Sequence, residues 1–302
     1  MIKKPDIHVL DLHFQGLTEI TAAYLVVGSK GPILIETGPG STLNTLLSQI
    51  RQHGFEPEQI KHVLVTHIHL DHAGAAGWWA QQGAQIYVHS FGTRHLIAPE
   101  KLLASAKRIY GDKMDTLWGE MLAAPAENVT EVFDNDVLEV AGLTITALET
   151  PGHARHHHVY VIDDVAFTGD AAAVRLPAFN LPDIPAPPPE FDLETWEATL
   201  DKLLAHNFRQ IYPTHFGCVD NVEGHLLTVK RLVRETAVFI QQKMQETLNR
   251  NDIVTAYENW FAKRAKAAGL SDEAIAQYAT ANPLYMSVDG IMRYWQKRLQ
   301  AS

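Results

Sequence analysis

The chain has 302 residues, 46% hydrophobic and 20% charged, a globular composition with apolar material for one large α/β domain and a smaller appendage. A formal charge of −10 at pH 7 argues against a nucleic-acid-binding face, because phosphate neutralisation needs clustered Lys and Arg. The single cysteine, Cys218, allows no internal disulfide, MIKKPDIHVLDL lacks the apolar core of a signal peptide, and no stretch approaches a membrane span, so a cytoplasmic protein without a membrane partner is expected.

Short β-type runs punctuated by Gly and Pro open the chain at 7–14, 20–27 and 32–36, with a turn at TGPG, 37–40. Ser41 or Thr42 caps a helix to about residue 53, with Leu43, Leu46, Leu47 and Ile50 at helical spacing. HVLVT at 62–66 reads as a buried strand, followed by a helix after Gly74 and a strand at 85–89. The pattern from 99 to 123 is helical, with Leu102, Leu103, Ala106 and Ile109 on one face. In a second β-rich block, 129–169, LEVAGLTITALET and HVYVIDDVAFTGD read as hairpins, the latter turning at Asp163–Asp164. Two such halves, each followed by helical material, imply two packed sheets with helices outside. Residues 177–189 carry six prolines and read as a stiff loop. A helix then runs from about Asp192 to 206, the strand RQIYP follows, and 222–302 is helical throughout. The expected division is a catalytic domain at 1–221 and a helical region at 222–302.

The stretch VLVTHIHLDHAG, 63–74, puts three histidines and an aspartate into six positions after an apolar run. A tight turn past the strand can aim His67 and His69 at one point, while Asp71 and His72 reach a second. Imidazole and carboxylate are borderline ligands suited to Zn²⁺, Mn²⁺ or Fe²⁺. Four ligands cannot complete two ions, so more should stand at other strand ends. ETPGHARHHH supplies His153, VAFTGDA supplies Asp170 and IYPTHFG supplies His215, each at a β-to-loop junction. A carboxylate ending a buried strand is costly unless paired or metal-bound, which singles out Asp170.

The pattern His67-x-His69-x-Asp71-His72, then His153, Asp170 and His215, resembles the metallo-β-lactamase-fold superfamily, with all seven positions filled in chain order. The resemblance implies a four-layer αββα sandwich, here with a C-terminal helical extension. It also implies that His67, His69 and His153 hold one metal, Asp71, His72 and His215 the other, and that Asp170 bridges both opposite a bridging water or hydroxide. Two metals about 3.5–4 Å apart would lower the water's pKa, polarise the substrate oxygen and stabilise the leaving group. Asp71 would also orient the attacking hydroxide, so Asp71 and Asp170 are the expected catalytic carboxylates. Two Zn²⁺ per chain are expected, with Fe or Mn as substitutes. His69 stands where the oxygen-reducing di-iron branch carries a Glu, which favours hydrolysis.

Glu36 stands where most relatives carry Asp and is expected to hydrogen-bond near the metal loop. His157 is expected to support the ligands and His156 to be a candidate proton donor. Arg155 is a candidate for meeting a substrate carboxylate. Cys218 reads as a small buried thiol. His8, His13, His53, His62, His89, His95, His206 and His225 read as structural or exposed. The Pro-rich loop is the expected substrate wall, with Phe179, Leu181 and Ile184 as its apolar face. Tyr257, Trp260, Tyr285, Met286, Tyr294 and Trp295 read mostly as packing or a subunit interface, so homo-oligomerisation stays open.

The expected function is a binuclear hydrolase acting on a small acyl substrate, a thioester, ester or lactone. The helical extension resembles that of the glyoxalase II-like branch rather than a true β-lactamase, with Lys230, Arg231 and Arg234 as its basic residues. The alternative is a mononuclear iron persulfide dioxygenase on the same fold. A nuclease or phosphodiesterase is disfavoured by the acidic charge.

Overall fold

Apolar and β-branched runs near the start of the chain pair as an antiparallel meander: β1 (Asp6–Asp11), β2 (Ala22–Gly28) and β3 (Gly31–Ile35). The computed structural model describes residues 5–177, 181–246 and 248–301. These form two compact units, one of the residues up to Glu149 with His156–Gly169, the other of Thr150–Arg155 with the residues from Asp170 onward.

In the first unit, α1 (Leu43–Gln52) follows β3 and buries Leu46 and Ile50, as the helical spacing predicts. The strand β4 (His62–Leu64) then pairs in parallel with β3. After it come α2 (Leu70–Ala73), α3 (Ala76–Gln81) and β5 (Gln85–His89). The helices α4 (Ser90–Ile97), α5 (Glu100–Tyr110) and α6 (Met114–Trp118) lead to β6 (Val129–Val132), which pairs in parallel with β5. The sheet order is therefore β1 to β6 in sequence, with α1, α3 and α4 packed against it. The second sheet is antiparallel: β7 (Val137–Val140), β8 (Leu143–Glu149), β9 (His158–Ile162) and β10 (Val165–Phe167), the last two joined at Asp163–Asp164 as expected.

The two sheets meet over a buried core. The Tyr160 hydroxyl of β9 reaches the carbonyls of Val65 and Tyr87, each at 3.2 Å, and Tyr24 of β2 packs on Phe167 of β10 with ring centroids 5.4 Å apart. A hydroxyl ending between two strand-end carbonyls satisfies its polar tip while the ring fills the core.

Two expectations are corrected here. The first strand stops at Asp11, because the chain turns through left-handed His13 and Gln15 (φ 48° and 55°), with Asp11 accepting the amides of His13 and Glu19. The helical pattern from 99 to 123 is broken into α5 and α6, which end at Gly111 and Gly119, both at positive φ (55° and 63°). Ile109, expected on one face with Leu102, Leu103 and Ala106, is 40% exposed.

The second unit contains α7 (Leu193–Ala205), β11 (Gln210–Tyr212), α8 (Val222–Gln245), α9 (Arg250–Ala267), α10 (Asp272–Ala281) and α11 (Leu284–Ala301). Asp192, Asn221, Asn249 and Ser271 cap α7 to α10 by accepting a first-turn amide, each worth about 1 kcal/mol. The apolar stripe of α8 (Leu226, Val229, Val233, Ile240) is buried, and α8 packs against α7, α9 and α11. The described part of the Pro-rich segment is largely buried. Ile184 is buried and Leu181 half-buried, while Phe179 lies outside the described residues.

Candidate metal centre

In the first unit the chain leaves β4 through Val65 and Thr66, and His69 starts α2 from an extended conformation. This junction carries the whole HIHLDH stretch. The Nε2 of His67 stands 2.9 Å from Nδ1 of His69, and the rings of His67 and His72 are 3.9 Å apart. Asp71 Oδ2 lies 3.7 Å from His72 Nε2. The ligand atoms of His67 with His69 and of Asp71 with His72 lie within 4.8 Å of one another, the two pairings expected from the spacing, and those of His67 with His72 do so as well. His67 and His72 are fully buried.

Beneath them, Glu36 is buried and held at φ 66°. A non-glycine residue in that region costs about 1–3 kcal/mol, which persists only when its surroundings fix it. Here they do. Glu36 Oε1 accepts from the Thr66 hydroxyl at 2.5 Å and faces His72 Nδ1 at 3.0 Å, and Oε2 accepts from the Thr66 amide at 3.3 Å. An ionised carboxylate only accepts, so His72 donates from Nδ1 and presents Nε2 as a lone pair. The Thr66 hydroxyl, having given its proton to Glu36, accepts from His67 Nδ1 at 3.1 Å. His67 Nε2 is thereby also left as a lone pair. One carboxylate thus sets the tautomer of two candidate ligands. The support expected of Glu36 is present, and Thr66, through which half of it passes, was not singled out by sequence.

His156 and His157 lie in the same cluster. Their rings are 6.0 and 4.9 Å from that of His67, and His156 stands edge-on to His69 at 5.6 Å. His89, outside the motif, donates from Nε2 to Glu149 at 2.7 Å because its Nδ1 accepts the Phe91 amide, a structural pairing.

The second unit brings together His153, Asp170 and His215, all buried. Asp170 sits in the short 3-10 turn Gly169–Ala172, with Oδ2 3.4 Å from His153 Nε2 and Oδ1 3.7 Å from His215 Nε2. His153 Nδ1 is 2.7 Å from the Pro185 carbonyl, an acceptor, so Nδ1 carries the proton and Nε2 faces the carboxylate as a lone pair. Trp196 of α7, another residue sequence did not single out, braces both neighbours. Its ring packs edge-on to His153 at 5.8 Å, and its indole N–H donates to Ala171 at 2.9 Å. His225 donates to the next carbonyl, Ala172, at 2.8 Å, and burial pushes its pKa down to about 4.

The donor set fits divalent metal. Buried imidazoles whose far nitrogens are committed to acceptors, beside carboxylates, present lone pairs suited to a cation. The remaining candidates lie differently. Arg155 is largely exposed and paired with Glu190 at 3.3 Å. Lys230 pairs with Asp201, Arg231 with Glu235 and Arg234 with Glu197. Cys218 is half-buried rather than buried, and desolvation raises its pKa. Tyr257 is buried beside Trp260, and Tyr285 lies under Arg250 at 5.9 Å. No described helix is long and apolar enough to cross a membrane.

The profile of the metallo-beta-lactamase superfamily matches residues 17–215. A metallo-beta-lactamase fold-containing protein of Sulfurisphaera tokodaii is 28% identical over 214 residues, covering 69% of this chain and 78% of that one. An atrochrysone carboxyl ACP thioesterase of a Cryptosporiopsis species is 24% identical over 216 residues, 68% of this chain. The chain spans about half the length of that thioesterase, 52%. Among solved structures, a metallo-beta-lactamase family protein of Thermus thermophilus shares the fold with a TM-score of 0.69 at 20% identity, over 97% of this chain and 93% of that one.

Proposed function

The chain belongs to the metallo-beta-lactamase superfamily, and from that premise we propose that it is a two-metal hydrolase of small acyl compounds, a thioester, ester or lactone. The observation that carries the reading is the pair of half-sites in which buried His67, His72 and His153 each turn an Nε2 lone pair toward neighbouring candidate ligands. We assign His67, His69 and His153 to one metal, Asp71, His72 and His215 to the other, and Asp170 to both. The groups His67–His69–His153, His67–His72–Asp170 and Asp71–His72–His215 each have the composition to hold an ion.

When bound, the metals supply Lewis acidity and a nucleophile from water at neutral pH. The chain's own residues do the rest. Glu36 and Pro185 keep the ligand nitrogens deprotonated and aimed. Asp71, the more exposed of the two catalytic carboxylates, accepts a hydrogen bond from the nucleophile and so orients it. His156, stacked beside His67 and edge-on to His69, is placed to return a proton to the leaving group. Thioesterase-named relatives favour a thioester among the acyl substrates.

Elemental analysis of protein purified without chelator tests the metal assignment, and a thioester, ester and lactone panel tests the reaction. About two zinc ions per chain with turnover is the expected result, and Asp170→Ala should lose most of the second metal and nearly all turnover. Full activity in Asp170→Ala would overturn the bridging role. About one iron per chain, with oxygen uptake on persulfides, would replace the hydrolase by a dioxygenase.

A further inference from the structure

His153 is held by a carbonyl that cannot anchor itself. Pro185 has no N–H, so its position depends on its neighbours. Those neighbours are tied to the C-terminal helices. The Ser287 hydroxyl of α11 donates to the Ile184 carbonyl at 2.8 Å and accepts the Ala186 amide at 3.1 Å, bracketing Pro185. Asn282, at the end of α10, donates to Asp183 Oδ2 at 2.7 Å and to the Ile184 carbonyl at 3.2 Å. Both side chains are buried. Gly290 lets the backbone of α11 touch the same segment. A Cβ there would overlap the Ala186 carbonyl oxygen and stand 2.8 Å from the Pro187 carbonyl carbon.

Resting on the metal reading above, we propose that Ser287, Asn282 and Gly290 are positioning residues for His153: through the backbone of 183–187 they seat the Pro185 carbonyl that fixes His153 as the Nδ1–H tautomer, with Nε2 as its lone-pair nitrogen. The helical region then acts on the metal centre without touching substrate. An ordinary core hydrogen bond would add stability only. This arrangement adds a dependence of one imidazole tautomer on residues well over 100 positions away in the chain, reached by way of Pro185.

The test uses the full chain with Ser287→Ala and Gly290→Ala. In metal-free protein, ¹⁵N NMR of the imidazoles should show His153 as a single Nδ1–H tautomer in the wild type and as a mixture in both variants. Zinc affinity by chelator competition should fall about tenfold or more. Alanine outranks glycine within a helix by about 1 kcal/mol, so Gly290→Ala perturbs the contact and not the helix. Variants that keep the single tautomer and wild-type affinity, even with a lower Tm, would overturn the proposal and reduce the contacts to packing. A wild type whose zinc affinity is unchanged by His153→Ala would instead refute the metal assignment, and the tautomer readout would still decide the positioning role.

Discussion

In the first half-site Glu36 binds the His72 imidazole, the Thr66 hydroxyl and the Thr66 amide. Replacing it by Gln substitutes an N–H donor for one oxygen, opposite groups that themselves donate. Glu36→Gln should therefore weaken metal binding by about 10–100-fold, by releasing the tautomers of His67 and His72. Thr66→Val should weaken it less, because only the relay to His67 is cut, and Thr66→Ser should restore it. Chelator competition measures all three, and an unchanged affinity in Glu36→Gln would show that the tautomers are set elsewhere. His157→Ala, by contrast, should keep metal and lower turnover only modestly. Its ring lies 4.9 Å from His67, but the reading assigns it no metal.

At the scale of the element, α7 is the brace of the second half-site. Asp192 caps it, accepting the Thr195 amide at 2.9 Å, and one turn in, Trp196 meets both His153 and the turn that carries Asp170. Trp196→Phe keeps an aromatic ring against His153 and deletes only the indole bond to Ala171. The expected loss is about 1 kcal/mol of stability by urea unfolding, with weaker zinc binding. Equal zinc affinity in the variant would leave α7 as packing alone. Elements of this kind also mark how much the sequence reveals. The span of α7, the strand-end histidines and the hairpin at Asp163–Asp164 are local patterns and were legible. The break of the 99–123 helical pattern was missed because its apolar spacing persists across the positive-φ glycines. Thr66 and Trp196 were missed because their roles depend on partners 30 and 25 residues away, which no window of sequence contains.

Across the molecule, the acidic net charge conceals two buried groups with opposite pH responses. Burial lowers the pKa of His225 to about 4 and raises that of Asp183 to about 6. His225 is depressed below its unfolded value, so its stabilising contribution is complete above about pH 6.5 and is lost as pH falls toward 4. Asp183 is raised above its unfolded value. Its contribution is complete below about pH 4 and is lost as pH rises through 6. Between pH 5 and 7 the two slopes oppose, so neither shows in the wild-type profile alone. His225→Gln keeps a donor for the Ala172 carbonyl and does not titrate. In urea unfolding of metal-free protein, wild type should lose about 2 kcal/mol relative to this variant on going from pH 7 to pH 5. Asp183→Asn should behave in the opposite sense, with wild type gaining about 1 kcal/mol relative to it over the same interval. Parallel pH profiles for wild type and His225→Gln would mean that the imidazole is not held neutral. The imidazole would then take up its second proton as readily as in the unfolded chain, and its bond to the Ala172 carbonyl would persist in the charged form, since both ring nitrogens donate there.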